Sequence, residues 1–484
     1  MSYTIESLAR ALRTQMYHVL MGGDASVKPP ADAFLTWCMP GLPFEEGDFD
    51  FAAGGLSGRT AEESRQRYQQ AFNFAMAVDY LPDPQQPLDG EEQQAIWENR
   101  DGSRMSVMYD EILKQSKVIK QSLTDAEQEE LKRLRGMLTV TVTQKDLLGR
   151  EKEVTEDSPA VRAYNEAKQR YEHAVLTYNA KRIAAQAATG EKGNVAVQDW
   201  ELNGAIYRQD VDDAWASWGA TGYREDIQEI RDRIEQITQR SMIHWKGDLQ
   251  NAYRHAILSS PEGIEFPYTT VVPAGFATSD GWTGYSLYHE MTDTDKVKES
   301  DSWDAGGQFD SGLWSVSGGH HSSSTEFHKD HHLDSFDLSF EMTQVQIVRP
   351  WFSPEFLTNR GWDLPAGAGW RWGEPPSDGE RPPQGKLVGY GLQMLLVRNL
   401  VIESEDLAKA LDTFSKEVGG ADSFGIGPLT LGGSYGSSSS GRKYRYEHDG
   451  ATIKVPGMQV IAFRNHLFGK TPDLLPGIKE DQLG

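Results

Sequence analysis

Five histidines, His320, His321, His328, His331 and His332, fall within thirteen residues of this chain. Imidazoles so concentrated point either to metal ligation or to proton uptake. Histidine metal sites carry cysteine or carboxylate partners at set spacings. Neither an HExxH pattern nor a cysteine accompanies this group, so no metal is assigned. Histidine gains charge as pH falls from about 7 to 5. Protonation beside Asp330, Asp334 and Asp337 would cancel local negative charge and could release a stored segment. The sequence leaves pH sensing, metal binding and plain solvation open.

Next to the cluster, Phe336, Leu338, Phe340 and Met342 alternate with Ser335, Asp337, Ser339, Glu341 and Thr343. That period of two is a strand with one apolar face. Its length approaches the roughly 9 to 11 residues of a membrane-spanning strand, and a half-buried strand of a soluble sheet looks the same. The four apolar residues are the expected membrane or interaction face. The pattern then passes to Val345 and Ile347, which predicts a bulge near Gln344.

Trp351, Trp362, Trp370 and Trp372 follow among glycines and prolines, with Arg349, Arg360 and Arg371 placed to stack on them. Tryptophans on such a loop suit sugar stacking, a membrane interface, or anchoring beneath the loop. No GxSxG, P-loop or strand-to-helix GxGxxG is present, so the expectation is a non-enzymatic protein without a cofactor. A net charge of −24 argues against nucleic acid as a partner.

These residues sit in two similar stretches. Residues 309–352 and 424–463 each open on a short apolar segment ending in Gly-Gly (Gly318-Gly319, Gly432-Gly433). Each continues through a serine run and a histidine-containing connection. Each closes on a β-rich segment around Val345-Gln346-Ile347 or Gln459-Val460-Ile461. They read as two related strand–loop–strand units.

The 484 residues divide by composition into an N-terminal segment (1–100), a long-helix hairpin or bundle (101–260) and a β-rich domain (261–484). The expected class is therefore α+β, the last part being a mostly antiparallel sandwich or partly open barrel. Ile5, Leu8, Leu12, Met16 and Leu20 are spaced for a docking helix, and residues 61–78 for another. The stretch from Ser103 to Leu138 reads as one helix with a restart at Thr124, where Thr124 and Glu127 form a capping sequence. Ser158-Pro159 starts a second helix carrying Tyr164, Tyr171 and Tyr178 at heptad spacing. A third runs from about Tyr223 to Leu258, striped by Ile227, Ile230, Ile234 and Ile237. Between the first two, alternating Thr139 to Thr143 with a turn at Gly149 suggests a β-tongue or an irregular loop.

A helical rod carrying such a tongue resembles the general plan of the ClyA-like α-helical pore-forming toxins. The resemblance implies self-assembly and membrane insertion. Cys38, alone in the chain, rules out an internal disulfide and reads as a small buried hydrophobe. Glu6 and Arg10 interrupt any Sec signal, so the expectation is cytoplasmic synthesis with later release or delivery. The combined reading is a homo-oligomer that engages a lipid membrane or a glycan receptor. Its alternatives are the structural subunit of a self-assembling particle and a carbohydrate-binding module.

Overall fold

The computed structural model describes residues 3–5, 8–9, 12–13, 16–17, 32–82, 94–96, 104–120, 124–145, 151–186, 190–239, 241–288, 313–317, 320–322, 332–333, 336–365, 373–417, 423–435, 442–444 and 447–484. It is a mixed α+β chain in two compact units. The first holds residues 1–109, 256–350 and 374–471, and the second holds 110–255, 351–373 and 472–484. The N-terminal hundred residues thus share a unit with the β-rich part, because they supply two strands and a covering helix to its sheet.

In chain order come strand β1 (Ala33–Phe44), helix α1 (Ala61–Val78) and strand β2 (Gln94–Ile96). Helices α2 (Met105–Gln115) and α3 (Asp125–Leu138), strands β3 (Thr139–Lys145) and β4 (Glu151–Asp157), and helix α4 (Pro159–Gln186) follow. Helices α5 (Gly190–Ala220), α6 (Arg224–Gln239) and α7 (Met242–Ala256) complete the helical run. Next are β5 (Thr270–Val272), β6 (Thr283–Tyr288), β7 (Leu313–Ser317), β8 (His320–Ser322), β9 (Asp337–Val348) and β10 (Gly389–Glu403). Helix α8 (Glu405–Glu417) leads to β11 (Ser423–Ile426), β12 (Leu429–Tyr435), β13 (Arg442–Tyr444), β14 (Glu447–Asp449) and β15 (Thr452–Leu467).

In the first unit an eight-stranded sheet runs β6-β9-β10-β15-β1-β2, with β5 on β9 and β14 on β15. A five-stranded sheet runs β8-β7-β11-β12-β13. Strand β7 of the first look-alike stretch pairs with β11, which forms a hairpin with β12 within the second stretch, and the closing strands β9 and β15 flank β10. Gln459, from the shared Gln-Val motif, is 2% exposed and ties the sheets together. Its Oε1 accepts from the Thr430 N–H at 3.0 Å and its Nε2 donates to the Thr430 carbonyl at 3.0 Å. Thr430 Oγ1 accepts from the Gly41 N–H at 2.7 Å. A Cβ on Gly41 would lie 2.6 Å from Gln459 Oε1, so only glycine fits. Pro40 is tolerated inside β1 because the pairing with β15 shifts between Trp37 and Leu42.

The larger sheet is covered on both faces. One face packs under Ile5, Leu8, Leu12 and Met16, under Leu407, Leu411 and Phe414 of α8, and under the smaller sheet. The other packs under Phe74 and Val78 of α1 with Phe49, Phe51, Phe266 and Phe276. This explains β9. Leu338, Phe340 and Met342 face the first core, whereas Val345 and Ile347 face the second. The change of phase is a change of core, and the expected bulge near Gln344 is absent: residues 341–346 of β9 pair with β10 in unbroken register.

The irregularity lies earlier, between Ser339 and Glu341, where β10 carries the extra residue Asn399 at φ 54°. Glu341 Oε2 accepts from Arg398 Nε at 2.6 Å and from Asn399 Nδ2 at 3.3 Å. Asparagine tolerates this left-handed backbone, which β-branched residues resist. Asn399→Val is expected to lower stability by about 1–2 kcal/mol, and Asn399→Gly by less, in urea denaturation.

In the second unit the tyrosine stripe meets tryptophans. Tyr164 and Tyr171 lie 5.2 and 5.6 Å from Trp218, and Tyr178 lies 5.4 Å from Trp200. Those tryptophans belong to α5, a 31-residue helix outside the sequence expectation. Its glycines Gly193 and Gly204 and the lack of a capping signature conceal it. Ile230, Ile234 and Ile237 pack on Leu131 and Leu134 of α3. Thr124 and Glu127 form the expected capping box. The third expected helix is two, α6 and α7, and its last expected turn is a short strand, Ile257–Ser259.

Candidate functional site

The apolar face Phe336, Leu338, Phe340 and Met342 is at most 5% exposed at each residue. Tyr285 of β6 stacks on Phe340 with centroids 4.8 Å apart. Their strand lies between β6 and β10, hydrogen-bonded on both sides. The apolar face is spent on the interior of its own unit.

His320 and His321 lie in β8, and the backbone of His332 pairs with Thr4. His328 and His331 lie outside the described residues. Among the described residues no group of three or more His, Cys, Asp or Glu is arranged to hold a metal ion. Trp351 is 1% exposed and Trp362 0%, packed on Tyr253 at 5.7 Å and on Phe356 at 5.3 Å respectively. Neither ring is open to a sugar or a lipid surface. Arg349 is also buried, and Arg360 pairs with Asp473 at 2.8 Å. Trp370, Trp372 and Arg371 lie outside the described residues.

Burial gathers a polar group in the first unit that the sequence does not announce. Asp79 accepts from the Ser106 N–H at 2.8 Å and from Ser106 Oγ at 2.5 Å, capping the start of α2. Arg349 donates to the carbonyls of Gly391 (2.5 Å) and Val78 (2.9 Å). Burial holds the Asp79 carboxyl above its ordinary range, and the Ser106 hydrogen bonds, followed by the neighbouring Arg349, oppose that shift only in part. Beside them Tyr80 donates to Asn465, whose Nδ2 reaches Thr36 Oγ1 at 2.6 Å. The Asp79 contacts join the end of α1 to the start of α2, and the Arg349 and Tyr80 contacts join the end of α1 to the sheet, so the group is a fastening. The thiol of Cys38, fully buried nearby, is pushed well up by desolvation.

The second unit, by contrast, turns apolar groups outward. Strands β3 and β4 form an antiparallel hairpin in which Val142 pairs with Val154 and Thr141 with Thr155. Valines thus mark one side and threonines the other, so of the two readings of the alternation, tongue or irregular loop, the hairpin is the one formed. Further along, α5 turns Trp200, Tyr207 and Trp218 inward. Its opposite side carries Val195, Leu202 and Ile206, which are 68%, 78% and 54% exposed. Exposed Gln198, Ala205 and Gln209 complete that side. Steps of three and four residues put these on one stripe, apolar at its centre and amide-bearing toward its ends. The spacing is present in the sequence, but no expected helix carries it.

The inner side of the α4–α5 pair is firmly held. Asp199 receives Lys181 Nζ at 3.1 Å, Asn203 Nδ2 at 2.7 Å and the Tyr207 hydroxyl at 3.0 Å. Those hydrogen bonds, led by Asn203, keep the Asp199 carboxyl below its ordinary range. Among the described residues no helix is long and apolar enough to cross a membrane. Comparison with family models, curated proteins and solved structures finds no match to this chain.

Proposed function

We propose that this chain is a non-enzymatic protein that associates with copies of itself and engages a membrane in the manner of a pore-forming toxin. In this reading the α4–α5 pair is the rod of a helical bundle. The two facing sheets of the first unit act as a sandwich that carries the acid-responsive histidine strands. The observation that carries it is the solvent-facing apolar group Val195, Leu202 and Ile206 on a long helix. Large apolar side chains grouped in this way mark contact surfaces. The tongue β3–β4 is the favoured inserting element. Extracting β9 instead would break a ladder on each side and empty a core.

The burial of the Phe336–Met342 face favours a second reading, the structural subunit of a self-assembling particle. Dye release from anionic liposomes separates them. The pore-forming reading expects leakage that rises between pH 7 and pH 5, as His320, His321 and His332 charge, and that falls in Val142→Asp. Absence of leakage at both pH values, with ordered oligomers in lipid-free buffer, would overturn it in favour of the scaffold.

A further inference from the structure

We infer that α5 pairs antiparallel with α5 of a second copy about a two-fold axis passing between Asn203 and Gly204. This rests on the proposed self-association and names its surface. About that axis Leu202 of each copy meets Ala205 of the other, with Ile206 of both copies alongside. Gln198 meets Gln209, and two facing amides satisfy each other because each carries a donor and an acceptor. Val195 falls opposite Asp212, so the apolar contact ends before it. Repetition of the same patch on both sides is what a two-fold interface requires.

Charge selects the direction. Glu201 and Arg208 are exposed and stand seven residues apart on one flank of the stripe. The antiparallel pair brings Glu201 of each copy beside Arg208 of the other, so the complementarity occurs twice. A parallel two-fold pair would put the two copies of Glu201, and the two copies of Arg208, on opposite flanks of the seam, so neither charge would meet its counter-charge. It would also set the exposed Asp212 against its own copy within the stripe, and like charges so placed repel. Asp199 and Lys181 are engaged with each other, so neither offers a free charge beside the stripe.

Cysteine cross-linking of the full chain reads the geometry directly, since Cys38 is buried and leaves the introduced thiol as the accessible one. A mixture of Gln198→Cys and Gln209→Cys chains is expected to form disulfide-linked dimers under mild oxidation. Either variant alone should not, because the two copies of one position then lie about 16 Å apart along the axis, eleven residues at 1.5 Å each. A parallel pair gives self-linking of each variant alone and no link between Cys at 198 and Cys at 209 in the mixture, and that result would overturn the arrangement. Glu201→Arg is expected to raise the dissociation constant about tenfold in sedimentation equilibrium, and adding Arg208→Glu to restore it. A double variant as weak as the single one would overturn the reciprocal pairing. Leu202→Glu, whose fold is checked by circular dichroism, should weaken association at least as much. Self-association undiminished in Leu202→Glu would overturn this surface while leaving self-association standing. A wild-type chain that is monomeric at every concentration reached would overturn both.

Discussion

Replacing Asp79 by alanine is expected to remove about 1–3 kcal/mol of stability, the usual loss when a buried hydrogen-bond partner is deleted. Two separate supports fail together. The amino end of α2 loses both hydrogen bonds that Ser106 makes to the carboxylate. Arg349, hydrogen-bonded to the carbonyls of Gly391 and Val78, loses the acidic group beside it. Asp79→Asn keeps an acceptor for the Ser106 N–H and should lose less. The two variants are compared by urea denaturation of the full chain.

The same carboxyl makes a pH prediction with a definite sign. Burial raises its pKa in the folded state, so the fold binds this proton more tightly than the unfolded chain does. Its contribution is therefore full below the ordinary aspartate pKa of about 3.9 and is lost as pH rises through the raised folded value. The stability difference between wild type and Asp79→Asn should accordingly move in favour of wild type as pH is lowered from 7. A difference independent of pH would mean that Asp79 keeps an ordinary pKa in the fold.

The second large effect is expected at Phe340. Its ring is 3% exposed, stacked on Tyr285 in the core that joins the larger sheet to α8 and the N-terminal segment. Phe340→Ala should cost about 3–5 kcal/mol through lost burial and the cavity left behind. Under the particle reading, Phe340→Leu folds at reduced stability and assembles normally. Under a mechanism that releases β9, the same weakened core opens more readily, and leakage at pH 7 rises above wild type. Paired melting and dye-release measurements on Phe340→Leu distinguish the two outcomes, and they do so independently of the Val142→Asp variant in the tongue.

Local pattern alone determined much of this chain. The mixed α+β class, helix α1, the capping box at Thr124, the start of α4 at Pro159 and most of the long strands follow from periodicity and turn chemistry, which act over a few residues. The closing strands of the two look-alike stretches, β9 and β15, both pair with β10. What covers each face was not legible. The alternation Phe336–Met342 describes a strand with an oily side equally well whether that side meets lipid, a partner or its own core. Only the arrival of the N-terminal residues and α8, distant in sequence, decides for the core. In α5 the opposite happened. Its inward aromatics find Tyr164, Tyr171 and Tyr178, while Val195, Leu202 and Ile206 are left facing solvent. Burial is a property of the assembled chain, and no spacing of apolar residues contains it.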